Sequence, residues 1–173
     1  TNSEPGGKIR SSQFKDYRFD MGPSVFTEPQ LVDELLNLNA SSTSSFSYQK
    51  LPISCNYFFE DGVKIALPSG ADMVSEVLHK ELGEDKAQVY RYLKRLEDNY
   101  ESVYPVFISS SLHRISHWFN KGLFRALLRI PKYGLLTTMN DMNRNRFKNK
   151  KTIQIFNRFA TYNGSNPYEA PGM

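Results

Sequence analysis

A β-hairpin pattern occupies residues 55–67, which read CNYFFEDGVKIAL. In its second half, large apolar residues stand at every other position: Val63, Ile65 and Leu67. Lys64 and Ala66 fill the positions between them, which is the alternation of a strand with one buried face. Asp61 and Gly62 are typical of the tight turn that joins two antiparallel strands. The stretch therefore predicts a small antiparallel sheet.

Helical patterns dominate the chain after this hairpin. Apolar residues recur at alternating steps of four and three: Val89, Leu93, Leu96, Tyr100, Val103 and Phe107. This spacing is typical of a long amphipathic helix packed against a partner, and Pro105 predicts a kink or an end. Further helices are predicted from Leu112, over residues 121–130, and as one or two helices over 140–162. The predicted fold class is α+β, with helices predominating and a small antiparallel sheet.

Several helix and strand ends have recognisable signals. Thr27 and Gln30 have the spacing of a capping box, as do Ser69 and Asp72. Gly83 is placed to end a helix in a left-handed conformation. Before the first helix, two short strands are predicted around a turn at Lys15-Asp16.

The composition is that of a globular protein and excludes fibrous and wholly disordered proteins. A chain of 173 residues with 39% hydrophobic residues is long and apolar enough for a globular fold with a real core. Its net charge of +4 favours an anionic ligand or surface without choosing among them. The single cysteine, Cys55, allows no internal disulfide and is interpreted as a core residue of a strand. No apolar run approaches the roughly 20 residues that span a bilayer, so any membrane contact is expected to be peripheral.

Two stretches near the start are candidates for contact with an anionic ligand. Pro5-Gly6-Gly7-Lys8 offers backbone amides without side chains in the way, and Lys8 supplies a cation beside them. Asp20-Met21-Gly22-Pro23-Ser24 offers further N–H groups and a hydroxyl. Taken as residues alone, a glycine pair also marks an ordinary turn, and Asp20 also fits a strand-to-helix turn in which it bonds its own backbone.

These two stretches, together with FNRFATYNGSNPY at residues 156–168, resemble the bacterial phytoene desaturase family. Its members, also called phytoene dehydrogenases, belong to the FAD-dependent amine oxidoreductase superfamily. The order and spacing of the motifs match along nearly all of the chain. The early motif marks only the superfamily. The late motif is more specific, because a run like RFATY followed by GSNP has no general structural reason to recur.

The resemblance implies an FAD cofactor and a cavity for a carotenoid or another polyene. The implied FAD contacts are Gly6, Gly7, Lys8, Gly22, Pro23 and Ser24. The implied substrate contacts are Phe156, Arg158, Thr161 and Tyr162. From their spacing alone, Ile153, Phe156 and Ala160 form one helical face and are first of all core residues, while Asn157 lies on a polar face.

The resemblance also implies a domain organisation. In this superfamily a glycine-rich dinucleotide fingerprint precedes such a Pro-Gly-Gly element, and a flavin-contacting segment follows at the C-terminus. We therefore expect the chain to be an internal fragment. Residues 1–30 are interpreted as a remnant of the FAD-binding domain and residues 31–173 as a helical, membrane-facing substrate-binding domain with a hairpin near 55–67. Alone, the fragment is expected to fold but to be inactive and to bind FAD weakly or not at all.

A basic, apolar stretch at residues 121–132 is a candidate for membrane contact. Its cations are spaced by four and surrounded by apolar side chains, and the predicted membrane residues are Phe124, Arg125, Leu128 and Arg129. The alternative is a bundle helix with a solvated basic face. A second cationic run, over residues 144–151, is interpreted as a solvated turn or as a further contact with an anionic surface. No nucleic-acid motif accompanies it, so no nucleic-acid partner is predicted.

No metal site is predicted. His113 and His117 are one helical turn apart, but no cysteine or acidic residue joins them at ligand spacing. They stay open as acid-base candidates, and the catalytic residues are not identified. The chemistry implied by the resemblance needs no histidine, because the flavin is the electron sink.

The resulting functional hypothesis is that the chain is part of an FAD-dependent carotenoid desaturase, which transfers hydride from a carotenoid C–C bond to the flavin. Oxygen or a quinone would then accept the electrons. Within the family, a hydroxycarotenoid 3,4-desaturase, a carotenoid isomerase and an oxygenase stay open. From another class, a non-enzymatic lipid-binding module at a membrane surface is the alternative. The expected location is the bacterial cytoplasm, with peripheral membrane association.

Overall fold

The computed structural model describes residues 7, 10–22, 28–38, 46–104 and 133–172. Contacts divide the chain into two compact units, Thr1–Lys50 and Leu51–Met173. Helices and two small antiparallel sheets make up the described elements, so the predicted α+β class is confirmed. The predicted domain boundary at residue 30 stays a prediction. The helices expected from Leu112 and over 121–130 lie outside the described residues.

The first unit contains a hairpin and a helix. Strands β1 (Ser11–Phe14) and β2 (Tyr17–Asp20) pair in antiparallel register, with Ser11 opposite Asp20 and Phe14 opposite Tyr17. The turn falls at Lys15 and Asp16 as predicted, and Lys15 adopts a φ of 53°.

Helix α1 (Gln30–Asn37) begins later than its capping signal predicts. Its N-cap position is Pro29, which makes no side-chain cap hydrogen bond. Thr27 of the predicted capping box lies outside the described residues. The helix ends at Asn37, and Leu38 is its C-cap.

The hairpin of the second unit matches the alternation in the sequence. Strands β3 (Ile53–Phe58) and β4 (Lys64–Pro68) are antiparallel, with Phe58 opposite Lys64. Ile65 and Leu67 are 2% and 3% exposed, whereas Lys64 is exposed. The side chain of Asp61 accepts a hydrogen bond from the Val63 N–H, which stabilises the turn between the strands.

Helix α2 (Ala71–Leu82) packs against this hairpin and ends as predicted. Gly83 is its C-cap at a φ of 71°, and its N–H donates to the His79 carbonyl. The predicted capping box at its start is wrong, because the N-cap is Gly70, at a φ of 93°, and no side chain caps the helix. The hydroxyl of Ser75 instead donates to the Asp72 carbonyl, inside the helix.

Helix α3 (Lys86–Val103) carries the predicted apolar seam, but the buried face is shifted. Val89 is fully buried and Leu93 and Leu96 are half-buried, whereas Tyr100 is 51% exposed. Tyr92 is buried on this face although the four-three pattern leaves it out. Phe107, the last residue of the predicted seam, lies outside the described residues.

The remaining helices of the described ranges lie after residue 133. They are α4 (Met139–Arg144), α5 (Lys150–Asn157) and a 3-10 helix (Arg158–Asn163). The core of the second unit forms where these helices meet α2, α3 and the hairpin. Its buried members are Ile65, Leu67, Val74, Leu78, Val89, Tyr92, Phe147, Ile155 and Phe156.

Candidate functional site

Four aromatic side chains, which we call the aromatic ladder, run from the core to the surface of the second unit: Phe147, Phe156, Phe159 and Tyr162. Consecutive ring centroids are 4.9, 6.5 and 6.0 Å apart. Phe156 is 4% exposed, whereas Tyr162 is 62% exposed. Positions three apart eclipse one another in a 3-10 helix, so the change from α5 to the 3-10 helix aligns the last three rings.

An apolar cleft of about 360 Å³ lies beside the ladder. Its lining comes from β3, the end of β4, the start of α2, α3, and the rings of Phe156 and Phe159. The lining residues are Ser54, Leu67, Pro68, Ser69, Gly70, Ala71, Val74, Leu93, Glu97, Phe156 and Phe159. Its volume is within the roughly 300–1,000 Å³ range of small-molecule sites. The cleft is thus suited to an apolar ligand or to one part of a longer one.

Arg158, which precedes Phe159 of the cleft lining, lies over two tyrosine rings. The carbon at the centre of its guanidinium is 5.7 Å from the Tyr57 ring centroid and 5.2 Å from that of Tyr162. Its Nη1 donates to the Tyr57 hydroxyl at 3.5 Å and to the Tyr162 hydroxyl at 3.3 Å. We call these three side chains the arginine clamp. Strand β3 supplies Tyr57, and the 3-10 helix supplies the other two.

The clamp changes the acidity of its own groups. Burial raises the pKa of the Tyr57 hydroxyl, and the hydrogen bond from Arg158 acts in the opposite direction without reversing it. The hydrogen bond to Tyr162 raises the pKa of Arg158. At neutral pH the clamp therefore combines the charged guanidinium of Arg158 with the neutral phenol of Tyr57.

The structure brings three of the four predicted substrate contacts to this region. Phe156 lines the cleft, and Arg158 and Tyr162 form the clamp beside it. The fourth, Thr161, is exposed, and its hydroxyl donates to the Arg158 carbonyl at 2.7 Å. Tyr57 and Phe159 were not among the predicted residues. Phe159 could have been found from its three-residue spacing to Phe156 and Tyr162, but nothing local in the sequence marks Tyr57.

The predicted FAD contacts are only partly described. Gly7 is exposed at a φ of 56°, in the region that favours glycine, and no atom lies within 4 Å of where a Cβ would stand. Gly22 is half-buried just after β2. Gly6, Lys8, Pro23 and Ser24 lie outside the described residues. The open backbone at Gly7 fits the close approach of a phosphate, and the full set stays a prediction.

A chain of buried polar side chains joins α3, α4 and α5 next to the ladder, where the Tyr92 ring packs against Phe147 and Phe156. The Tyr92 hydroxyl donates to Asn143 at 2.6 Å, Asn143 donates to Asn157 at 2.8 Å, and Asn157 donates to Asn140 at 2.9 Å. All four side chains are at most 7% exposed. The expectation that Asn157 lies on a polar face is wrong, because the core buries it and satisfies its amide with two other asparagines.

The cationic run over residues 144–151 is only partly a solvated turn. Arg144, Lys148 and Lys150 are exposed. Arg146 lies over the Tyr92 ring at 5.5 Å, and Lys151 pairs with Asp61 and lies over the Phe59 ring. Two of the five cations therefore pack against the core.

The remaining predicted features fall largely outside the described ranges. The membrane residues Phe124, Arg125, Leu128 and Arg129 do so, as do His113 and His117. Across the described ranges, no three His, Cys, Asp or Glu side chains converge as a metal site. In those ranges, too, no helix combines the length and apolar character needed to cross a bilayer.

Comparison with known proteins gives clear relatives. The chain is 38% identical over 172 residues to a 1-hydroxycarotenoid 3,4-desaturase of Flavobacterium sp. (strain P99-3), which covers 99% of the chain and 35% of that relative. It is 27% identical over 176 residues to a 4,4'-diaponeurosporene oxygenase of Staphylococcus aureus (strain MRSA252), which covers 99% of the chain and 34% of the relative.

The chain thus spans about a third of the length of the curated relatives it matches. No family model matches it. The resemblance to carotenoid desaturases is confirmed by these relatives. Along almost its whole length, the chain is similar in sequence to a hydroxycarotenoid desaturase and to diaponeurosporene oxygenases.

Proposed function

We propose that this chain forms the carotenoid-binding part of an FAD-dependent oxidoreductase that introduces a double bond into a carotenoid. The observation that carries the proposal is its 38% identity to a hydroxycarotenoid desaturase over 99% of the chain. The apolar cleft beside the aromatic ladder supports it, because a linear polyene offers only apolar surface along most of its length.

In this proposal the cleft holds part of the polyene by surface burial. Each Å² of apolar surface removed from water contributes about 25 cal/mol, so a ligand without polar groups gains its affinity from contact area. Phe159, which is 45% exposed, has ring surface left for such a ligand. In this proposal the residues that line the cleft position the polyene and exclude water from its surface.

FAD is proposed as the cofactor, and when bound it supplies the electron sink that accepts a hydride. On this chain the backbone at Gly7 and Gly22 is proposed to approach it. Gly6, Lys8, Pro23 and Ser24 complete the proposed set. The clamp and the ladder are assigned to substrate binding and not to the flavin.

A membrane surface is the proposed source of the substrate. Linear carotenoids dissolve in the acyl region of a bilayer, so an enzyme that withdraws them gains from peripheral contact with lipid. Phe124, Arg125, Leu128 and Arg129 are the proposed contacts. Changing Arg125 and Arg129 together to Glu is expected to weaken flotation of the full-length protein with anionic vesicles, and unchanged flotation would contradict this assignment.

An oxygenase is the second candidate, because relatives that share 27% identity carry that name. The two reactions differ in what happens to the substrate. A desaturase removes two hydrogens from a C–C single bond, whereas an oxygenase adds oxygen to the chain. The higher identity to the desaturase makes desaturation our first proposal.

Product analysis tests the proposal. The full-length protein is incubated with FAD and with liposomes that contain either a 1-hydroxycarotenoid or phytoene, and the products are identified by mass spectrometry and absorption. We expect a product lighter by two hydrogens and absorbing at longer wavelength, because conjugation is extended. A product heavier by oxygen favours the oxygenase, and unchanged carotenoid with either substrate contradicts both reactions.

A further inference from the structure

We propose that the arginine clamp binds an oxygen atom at the end of a linear apolar ligand whose chain lies in the neighbouring cleft. This inference rests on the proposed function and deepens it. It assigns to Arg158, Tyr57 and Tyr162 the recognition of an oxygen-bearing end group, such as a hydroxyl, a carbonyl or a carboxylate.

The guanidinium of Arg158 has donors to spare. Arginine carries five N–H donors, and the hydrogen bonds of Arg158 to the clamp tyrosines both leave from Nη1. At 3.3 and 3.5 Å both are long compared with the roughly 2.9 Å typical of such bonds. Within the described ranges, no carboxylate forms an ion pair with it. An additional acceptor can therefore be bound without displacing a partner.

The clamp also holds the guanidinium in place before any ligand arrives. It lies over both tyrosine rings, at 5.2 and 5.7 Å, and donates a hydrogen bond to each hydroxyl. The backbone beneath it is held by the Thr161 hydroxyl, which donates to the Arg158 carbonyl at 2.7 Å. A long side chain that is ordered in advance loses less entropy when it binds a ligand.

One ring joins the clamp to the cleft. Phe159 lines the cleft and its ring lies 6.0 Å from that of Tyr162, which in turn carries Arg158. Two successive ring contacts therefore connect the apolar lining of the cleft with the Arg158 cation. A plain hydrocarbon gains nothing from that cation, whereas a chain with a terminal oxygen gains a charge-assisted hydrogen bond.

The test compares the affinities of matched ligands. The full chain is titrated in detergent with a linear carotenoid that bears a terminal hydroxyl, with the hydrocarbon of the same length and conjugation, and with the corresponding terminal carboxylate. We expect the wild type to bind both oxygenated ligands about tenfold more tightly than the hydrocarbon, which is the size of one hydrogen bond to a charged group. Arg158→Gln is expected to remove this preference and to leave hydrocarbon affinity within about twofold.

Two further variants separate the clamp from a general loss of structure. Tyr162→Phe keeps the ring under the guanidinium but removes a hydroxyl, so it should retain most of the preference. Arg146→Gln is the matched control, because Arg146 also lies over a tyrosine ring, at 5.5 Å from Tyr92, but Tyr92 is only 4% exposed, so a ligand cannot reach that ring as it can reach Tyr162. It should leave the preference unchanged.

The outcomes distinguish the two proposals. Equal wild-type affinity for all three ligands would overturn the clamp assignment and leave carotenoid binding standing. Loss of the preference in Arg146→Gln as well as Arg158→Gln would also overturn it. If the wild type binds no carotenoid, the proposed function fails, and the clamp assignment fails with it. If Arg158→Gln weakens binding to anionic vesicles but keeps the ligand preference, the guanidinium meets lipid headgroups and the assignment is wrong.

Discussion

Four buried polar residues pair with one another because the core offers them no water. Tyr92, Asn143, Asn157 and Asn140 donate in that order, each to the next. An unpaired buried amide or hydroxyl costs roughly 1–3 kcal/mol, so each link depends on its neighbour. This arrangement was not predictable from the sequence, because the partners of Asn143 are 51 residues before it and 14 residues after it.

Removing one member of this chain should destabilise the second unit. Tyr92→Phe keeps the ring contacts with Phe147 and Phe156 but leaves the Asn143 oxygen without its donor, so we expect a loss of about 1–2 kcal/mol. Asn143→Ala should cost about 3 kcal/mol, since it leaves two partners unpaired. Urea unfolding measures both, with exposed Asn163→Ala as the control. Equal stability of Asn143→Ala and the wild type would show that the links contribute nothing.

Because of Tyr92, we also expect the free energy of unfolding to depend on pH. Burial raises the pKa of Tyr92 to about 12 from an ordinary value of 10.0. Above pH 10 the unfolded state loses this proton while the folded state keeps it, so stability is fully present below pH 10 and falls as pH rises through about 12. The loss approaches about 3 kcal/mol at the upper end. Unfolding measured from pH 9 to 12 should show a smaller decline for Tyr92→Phe, and parallel curves would contradict the prediction.

At the scale of elements, helix ends decide where the second unit turns. The Asp61-Gly62 turn and the Gly83 cap are both present as predicted. Each depends only on the residues at that position, so the local sequence was enough to predict it. The predicted capping box of α2 is wrong, because the N-cap position is Gly70, which has no side chain to cap the helix. The path into each helix is set by the preceding segment, which a four-residue motif does not record.

Gly83 is the clearest test of such an end. At a φ of 71°, Gly83→Ala forces a Cβ into a left-handed conformation, so we expect a loss of about 1 kcal/mol. Gly83→Asn should cost less, because asparagine tolerates this region better. No atom lies within 4 Å of the position of the new Cβ, so the effect is one of backbone conformation and not of packing. Thermal unfolding that ranks Ala above Asn in stability would contradict this account.

Asn149 bonds to the ends of two helices. We therefore expect its substitution to lower the free energy of unfolding more than the substitution of Gly83 does. Its side chain accepts from the Lys151 N–H as the N-cap of α5 and donates to the Leu82 carbonyl at the end of α2. Asn149→Ala should cost about 2 kcal/mol, since it removes both bonds. Asn149→Asp keeps the cap but loses the donor, and it places a carboxylate near that of Glu84, which accepts from the Asn149 N–H. Urea unfolding should place Asp between Ala and the wild type, and a full loss with Asp would show that the cap contributes little.

At the scale of the whole molecule, the sequence predicted the class of fold and the relatives better than it predicted the site. The 3.6-residue and two-residue periodicities of apolar residues correspond to buried faces in the helices and in the second hairpin. The motifs predicted a resemblance to carotenoid desaturases, and a relative with that name is 38% identical over 99% of the chain. The cleft depends on β4, α2 and the 3-10 helix meeting, which no single stretch of sequence contains.

Occupation of that cleft by a carotenoid is the central claim, and a variant that fills it is the most direct test. Ala71 lines the cleft in the first turn of α2, so Ala71→Trp should fill the space that the polyene needs. Lys80→Trp puts the same side chain at an exposed position of the same helix and serves as the control.

The measurement is the absorption shift and affinity of a linear carotenoid titrated into the full chain and these two variants. The account predicts that the wild type and Lys80→Trp bind alike and that Ala71→Trp binds at least about tenfold more weakly, a difference of roughly 1.4 kcal/mol. Equal carotenoid binding by Ala71→Trp and the wild type, with both proteins folded, would contradict the claim that the cleft holds the substrate.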